Sequence, residues 1–250
     1  MTRISTSGAR PTGLTTLLLA GLGAALIGVT VAAAVALQRL SNDGYVATHL
    51  VHGLLYGLGV AIIPAYTRGP ALLAQSTAAL RGLGREATLA LVEGWKQLAT
   101  NYFNLGGLLG TLLTVPFAKY LGRRKMFATY FVASGAAILA TFGLDLEPET
   151  RLAMYFLIGL TAFGVLGSFT YYLPELFPAR LRATGSGFCY NVGRVLAAVG
   201  PFLVGTIASQ GANSLTSAFQ VLFYVGFVPL LGLLLLPWVV ETKGRALAIE

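Results

Sequence analysis

The chain has 250 residues, 56% of them hydrophobic and 10% charged, and its mean hydropathy is +0.74. A soluble domain carries about 25% charged residues, so this composition excludes a water-covered globular fold, a disordered chain and a disulfide scaffold. One cysteine and two histidines exclude an internal disulfide and a histidine metal cage, and the net charge of +8 reads as loop topology rather than a nucleic-acid partner.

A helix that crosses a bilayer needs about 20 apolar residues. The first such run, Leu14–Leu37, is longer than a signal-peptide core and is expected to span. Val46–Tyr66 is also uncharged, but it holds His49, His52, several glycines and Pro64. Two placements follow for it. It lies on the outer surface and the chain has six spans, or it crosses and the chain has seven. The tally of basic residues on the two sides slightly favours six. Tyr102–Ala118, Met126–Leu144, Leu152–Tyr172, Ala183–Ser209 and Leu215–Val240 complete the set, with Arg194 the one charge inside them.

The expected fold class is all-α, a polytopic membrane bundle of about six transmembrane helices. Residues 1–37 form a tail and the first helix, and 38–101 an extracytoplasmic insert with a membrane-associated helix. Residues 102–250 form a five-helix bundle. Loop charges orient it. Lys119–Lys125 carries four basic residues and no acid, whereas Asp145–Arg151 carries three acids and one arginine. This alternation puts Lys119–Lys125, Leu173–Arg182 and the C-terminus in the cytoplasm, in a multi-pass protein of the cell (inner) membrane. Small residues at four-residue spacing, Gly53 and Gly57, Gly106 and Gly110, Gly164 and Ser168, are expected where helix backbones approach.

Arg194 is the most informative residue. Nine residues into its span, it sits roughly 13 Å deep, where a charge needs a polar cavity or a partner. Asn191 and Tyr190 lie one turn before it. Asn101 and Asn104 form a second polar set at the opening of the Tyr102 span. These five residues are the expected substrate contacts. Tyr171 and Tyr172 read as interfacial anchors at the inner edge. Glu175 and Arg182, with Arg123 and Arg124, are opposite charges on adjacent inner loops, able to pair across helix ends and part when those ends separate. No nucleophile–base pair, metal set or cofactor motif is evident, so an enzyme is not expected. No Asp or Glu lies inside the six spans, so ion coupling has no evident carrier in this chain.

Three cytoplasmic elements carry a resemblance. Residues 174–185 read PELFPARLRATG, the chain ends VVETKGRALAIE, and an inner loop reads LGRRK. Together they resemble the major facilitator superfamily, specifically the C-terminal six-helix half of its sugar-porter and metabolite:proton symporter branches. ELFPARLR is similar to the family's E-x-x-P-x-x-x-R element, with Glu175, Pro178 and Arg182 on its named positions. ETKGR is similar to the P-E-T-K-G-R tail, with Val240 in place of its Pro. LGRRK is similar to the end of the signature loop, where Lys119 stands in place of an Asp. The resemblance implies alternating access, proton coupling and a small polar cargo such as a sugar or organic anion. It also implies two six-helix halves, so a chain with one half is a fragment of a longer transporter, pairs with a separate N-terminal half, or dimerises with a second copy of itself. The alternative is a transport-inactive scaffold, remnant or assembly subunit.

Overall fold

The computed structural model describes residues 44–60, 63–194 and 214–244, with side chains over 51–59, 69–194 and 219–244. The expected span Leu14–Leu37 and the part of Ala183–Ser209 beyond Arg194 lie outside the described residues. All regular elements among those described are helical. They are α1 (Gly44–Val60), α2 (Ile63–Leu80), α3 (Arg85–Leu121), α4 (Arg123–Gly143), the short α5 (Pro148–Ala153) and α6 (Tyr155–Glu175). Helical residues 182–194 form α7, followed by α8 (Ser214–Val225), α9 (Phe227–Leu231) and a 3-10 segment, Gly232–Trp238.

Among the described residues three stretches are long and apolar enough to cross a membrane: Arg123–Gly143, Pro148–Glu175 and Phe219–Trp238. They coincide with three of the runs read from the sequence. The Tyr102 run is the second half of a 37-residue helix, α3. At 1.5 Å per residue α3 is roughly 55 Å long, well beyond a hydrocarbon core of about 30 Å.

Small residues decide the central contact. A side chain at Gly106 would meet the Phe156 carbonyl, one at Gly110 the Leu160 carbonyl, and one at Gly159 the Phe103 carbonyl. The paired glycines of α3 thus bring its backbone directly against α6, the close approach that membrane helices use in place of hydrophobic burial. Around this axis the core is aromatic. Phe127, Phe131, Phe169 and Tyr172 are fully or nearly fully buried and interlock in stacked, tilted and edge-on pairs.

Helix α1 runs antiparallel to the second half of α6, whereas α2 reaches α6 only near Tyr155 and packs mainly against α3 and α8. His52 bonds Tyr172, Gly59 abuts Val165 and Gly69 abuts Tyr155. Val51, Leu55, Tyr56, Leu73 and Ala74 are buried in the process. Helix α1, one part of the segment that the sequence reading puts in an outer insert, is therefore packed against the bundle's central helix. The composition of residues 44–80 suits such packing, because Arg68 is the only full charge among them. The far end closes with Arg81 on Glu149 at 3.1 Å, between two half-exposed side chains.

Candidate functional site

The motif loops converge at one end of the bundle, where α3 stops at Gly122. This glycine has φ +83°, and it turns the chain directly into α4. The turn presents two arginines. Arg123 makes a two-pronged contact with Glu175 at the end of α6: Nη2 donates to Oε1 at 2.7 Å and Nε to Oε2 at 3.2 Å. The two side chains are only 13% and 20% exposed, so the pair is largely shielded from screening. Arg123 also donates from Nη1 to the Ala118 carbonyl at 3.0 Å.

The tail beyond the last span crosses this end as a strap. Arg124 Nε donates to the Val239 carbonyl at 2.6 Å, and its Nη2 to that of Pro237. Tyr172 donates its hydroxyl to the Val240 carbonyl at 2.8 Å. That leaves His52 Nε2, 2.9 Å from the same oxygen, as the donor to Tyr172. Glu241 accepts the amide N–H groups of Arg123, Arg124 and Lys243. The Thr242 hydroxyl donates to Glu175, and Lys243 Nζ donates to the Tyr120 carbonyl at 2.9 Å. The ends of three helices, α3, α4 and α6, are thereby tied to seven consecutive residues, 237–243, and α1 joins them through His52 and Tyr172.

Electrostatics at the strap favour the charged carboxylate. Burial pushes the Glu241 carboxyl upward, but the three amide donors and Arg123 outweigh it and hold the group below its usual range. The N-terminus of α4 adds the positive end of a helix dipole at the same place.

Of the four residues expected to gate, Arg123 and Glu175 pair with each other. Arg124 binds tail carbonyls instead. Arg182 is half-buried at the start of α7. The five expected substrate contacts lie in two groups. Tyr190, Asn191 and Arg194 are exposed on α7, with the Arg194 guanidinium 5.6 Å from the Tyr190 ring centre and that ring 4.6 Å from Tyr56. Asn191 Nδ2 donates to the Gly187 carbonyl one turn back. Asn101 and Asn104 are exposed on α3, near the level where Phe103 meets Gly159. Tyr56, which supports the first group, lies nearer the opposite end of α6, against Phe169. The sequence reading missed the roles of Tyr172, Glu241 and Thr242. Glu241 and Thr242 stand inside the ETKGR string, which was the available signal.

An all-α, multi-pass bundle with its charges gathered at helix ends defines an integral membrane protein. Among the described residues no group of three or more metal-ligating side chains occurs. The pattern of the sugar (and other) transporter family matches residues 108–249, more than half of the chain, so the protein belongs to this family of major facilitator transporters. It is 29% identical over 143 residues to a probable 4-methylmuconolactone transporter of Cupriavidus pinatubonensis, covering 57% of this chain and 32% of that protein. It is 35% identical over 129 residues to a cis,cis-muconate transport protein of Acinetobacter baylyi, covering 50% and 30%. Over 132 residues it is 30% identical to the human solute carrier family 22 member 11, covering 49% and 24%. The matched region is thus a third or less of each relative's length.

Proposed function

We propose that this chain supplies the C-terminal half of a transporter that moves a small organic anion by alternating access. The observation that carries the proposal is the shielded Arg123–Glu175 pair, bound through Thr242 and Glu241 to a strap over the helix ends. Such a clasp joins elements that are separate in sequence and tilts an equilibrium between two packings when it breaks. In this reading the motif-loop end is cytoplasmic. Arg194, Asn191 and Tyr190 contact the cargo on α7, and Asn101 and Asn104 contact it on α3. Residues 102–250 form the bundle that carries the motif loops, and the packing of α1 along α6 supports the seven-span placement. The other surface comes from an N-terminal half, in the same longer protein or separately encoded, or from a second copy. Relatives named for muconate and methylmuconolactone favour an organic anion over a sugar, and proton coupling is the expected drive.

Lys119, in the place of the family's Asp, favours the second reading, a transport-inactive scaffold. Uptake of radiolabelled cis,cis-muconate into proteoliposomes, with and without the adjacent reading frame's product, separates the two. Transport predicts saturable uptake that falls at least ten-fold in Arg194→Leu. Equal retention by the parent, the variant and empty vesicles would sink it.

A further inference from the structure

Beside the clasp, and lined in part by it, lies a cavity of about 590 Å³. Its charged lining is Lys119, Arg123, Lys243 and Glu175, three cations against one anion. Arg123 is already committed to Glu175, so the pair is internally neutral. The two lysines are not neutralised. Among the described residues neither has a carboxylate within ion-pair distance, and Lys243 uses one of its three N–H donors on the Tyr120 carbonyl. Two ammonium groups lining one concavity, with its single carboxylate already paired to Arg123, repel each other, an arrangement stabilised by an anionic occupant.

The rest of the cavity specifies what kind of anion. Its wall includes Val115, which is 58% exposed. Four residues from Lys119, Val115 continues an outward line on α3 through Leu112 and Leu108, themselves 61% and 58% exposed. At spacings of three and four these residues form one helix face, an apolar track that ends at an ammonium. A basic pocket at the end of an apolar transmembrane face matches an anionic phospholipid: phosphate between the lysines, acyl chain along the leucines.

We infer that this cavity binds a phosphate-type anion between Lys119 and Lys243, with a phospholipid headgroup as its source. Lys119 is central, since an acid at that position would leave the lining with no net charge. The inference is independent of whether the chain transports anything.

The test uses the full chain in nanodiscs of phosphatidylcholine alone or with one-fifth phosphatidylglycerol, reading thermal stability and bound phosphatidylglycerol by native mass spectrometry. The parent gains stability and retains phosphatidylglycerol. Lys119→Gln/Lys243→Gln binds it about thirty-fold more weakly, the product of roughly five-fold per lysine near a membrane surface. Lys125→Gln, at the same end but outside the lining, behaves as the parent. Lys119→Gln alone serves if the double variant is poorly folded, because the Lys119 ammonium makes no hydrogen bond that the fold needs. Inorganic phosphate added to phosphatidylcholine discs distinguishes the source: stabilisation equal to that from phosphatidylglycerol, and lost in the variant, assigns the site to free phosphate. Equal phosphatidylglycerol retention by the parent and the double variant, or none by either, overturns the inference.

Discussion

Glu241 accepts the backbone N–H of Arg123 at 2.9 Å although the two residues are 118 positions apart. Its other oxygen takes the next amide, that of Arg124, at 3.2 Å. The carboxylate thus performs across the whole domain what an N-cap side chain does locally: it satisfies the first free donors of α4 and faces the positive end of its dipole. Glu241→Ala therefore costs about 1 kcal/mol of stability, within the usual range for a lost cap. It also releases the strap. Hydrogen exchange checks this directly, with the amides of residues 123 and 124 expected to lose protection while those in the middle of α4 keep it.

Gly122 makes that geometry accessible. Its φ of +83° with ψ of 169° belongs to a region that only glycine occupies without strain. A Cβ placed there would also lie 2.7 Å from Glu241 Oε2. Gly122→Ala therefore combines backbone strain with displacement of the cap and costs about 2 kcal/mol. Its melting temperature should fall below that of Glu241→Ala. Adding Glu241→Ala to Gly122→Ala should then cost less than it does in the parent, because the cap is already displaced.

The strap also predicts a pH dependence. The carboxyl of Glu241 titrates lower in the folded protein than its ordinary value of 4.5. A group with a depressed folded value contributes stability above its unfolded value and loses it as pH falls through the folded one. The strap's contribution is therefore full at neutral pH and fades below about pH 4.5. Melting curves between pH 7 and pH 3 should show the parent losing more stability than Glu241→Gln, which carries no titrating group there. Parallel curves would remove Glu241 as the cause.

The three spans that the structure describes most fully were legible because long uncharged runs leave few other options. Helix α3 was legible only in part. Its first half contains Glu86, Glu93 and Lys96, so hydropathy reads it as outside, yet its Ala, Leu, Glu, Lys and Gln content favours continuous helix. The packing of α1 against α6 left no mark in loop charges, which report sidedness and not contact. At the site, opposite charges on neighbouring loops made Arg123 and Glu175 visible as partners. Arg124 was harder to read because its acceptors are the main-chain carbonyls of Pro237 and Val239, which any residue type supplies. Tyr172 looked like an interfacial anchor for a similar reason: its acceptor is the Val240 carbonyl, and its donor, His52, lies 120 residues away.

The Arg123–Glu175 pair sets the last expectation. Removing one member leaves a largely buried charge without its counter-ion, a larger loss than removing both. Glu175→Gln and Arg123→Met should each destabilise the protein, and Glu175→Gln should cost more because it also weakens the Thr242 contact. The double variant should be less damaged than the sum of the two, with a coupling of about 2 kcal/mol, the scale of a charge-assisted hydrogen-bonded pair. A thermal-stability cycle in detergent measures this directly. Arg124→Met is the control: it loses bonds to neutral carbonyls only, so combined with Glu175→Gln it should be additive within about 0.5 kcal/mol. Coupling as large for Arg124 as for Arg123 would show that the strap responds as one body and that the ion pair has no privileged part in it.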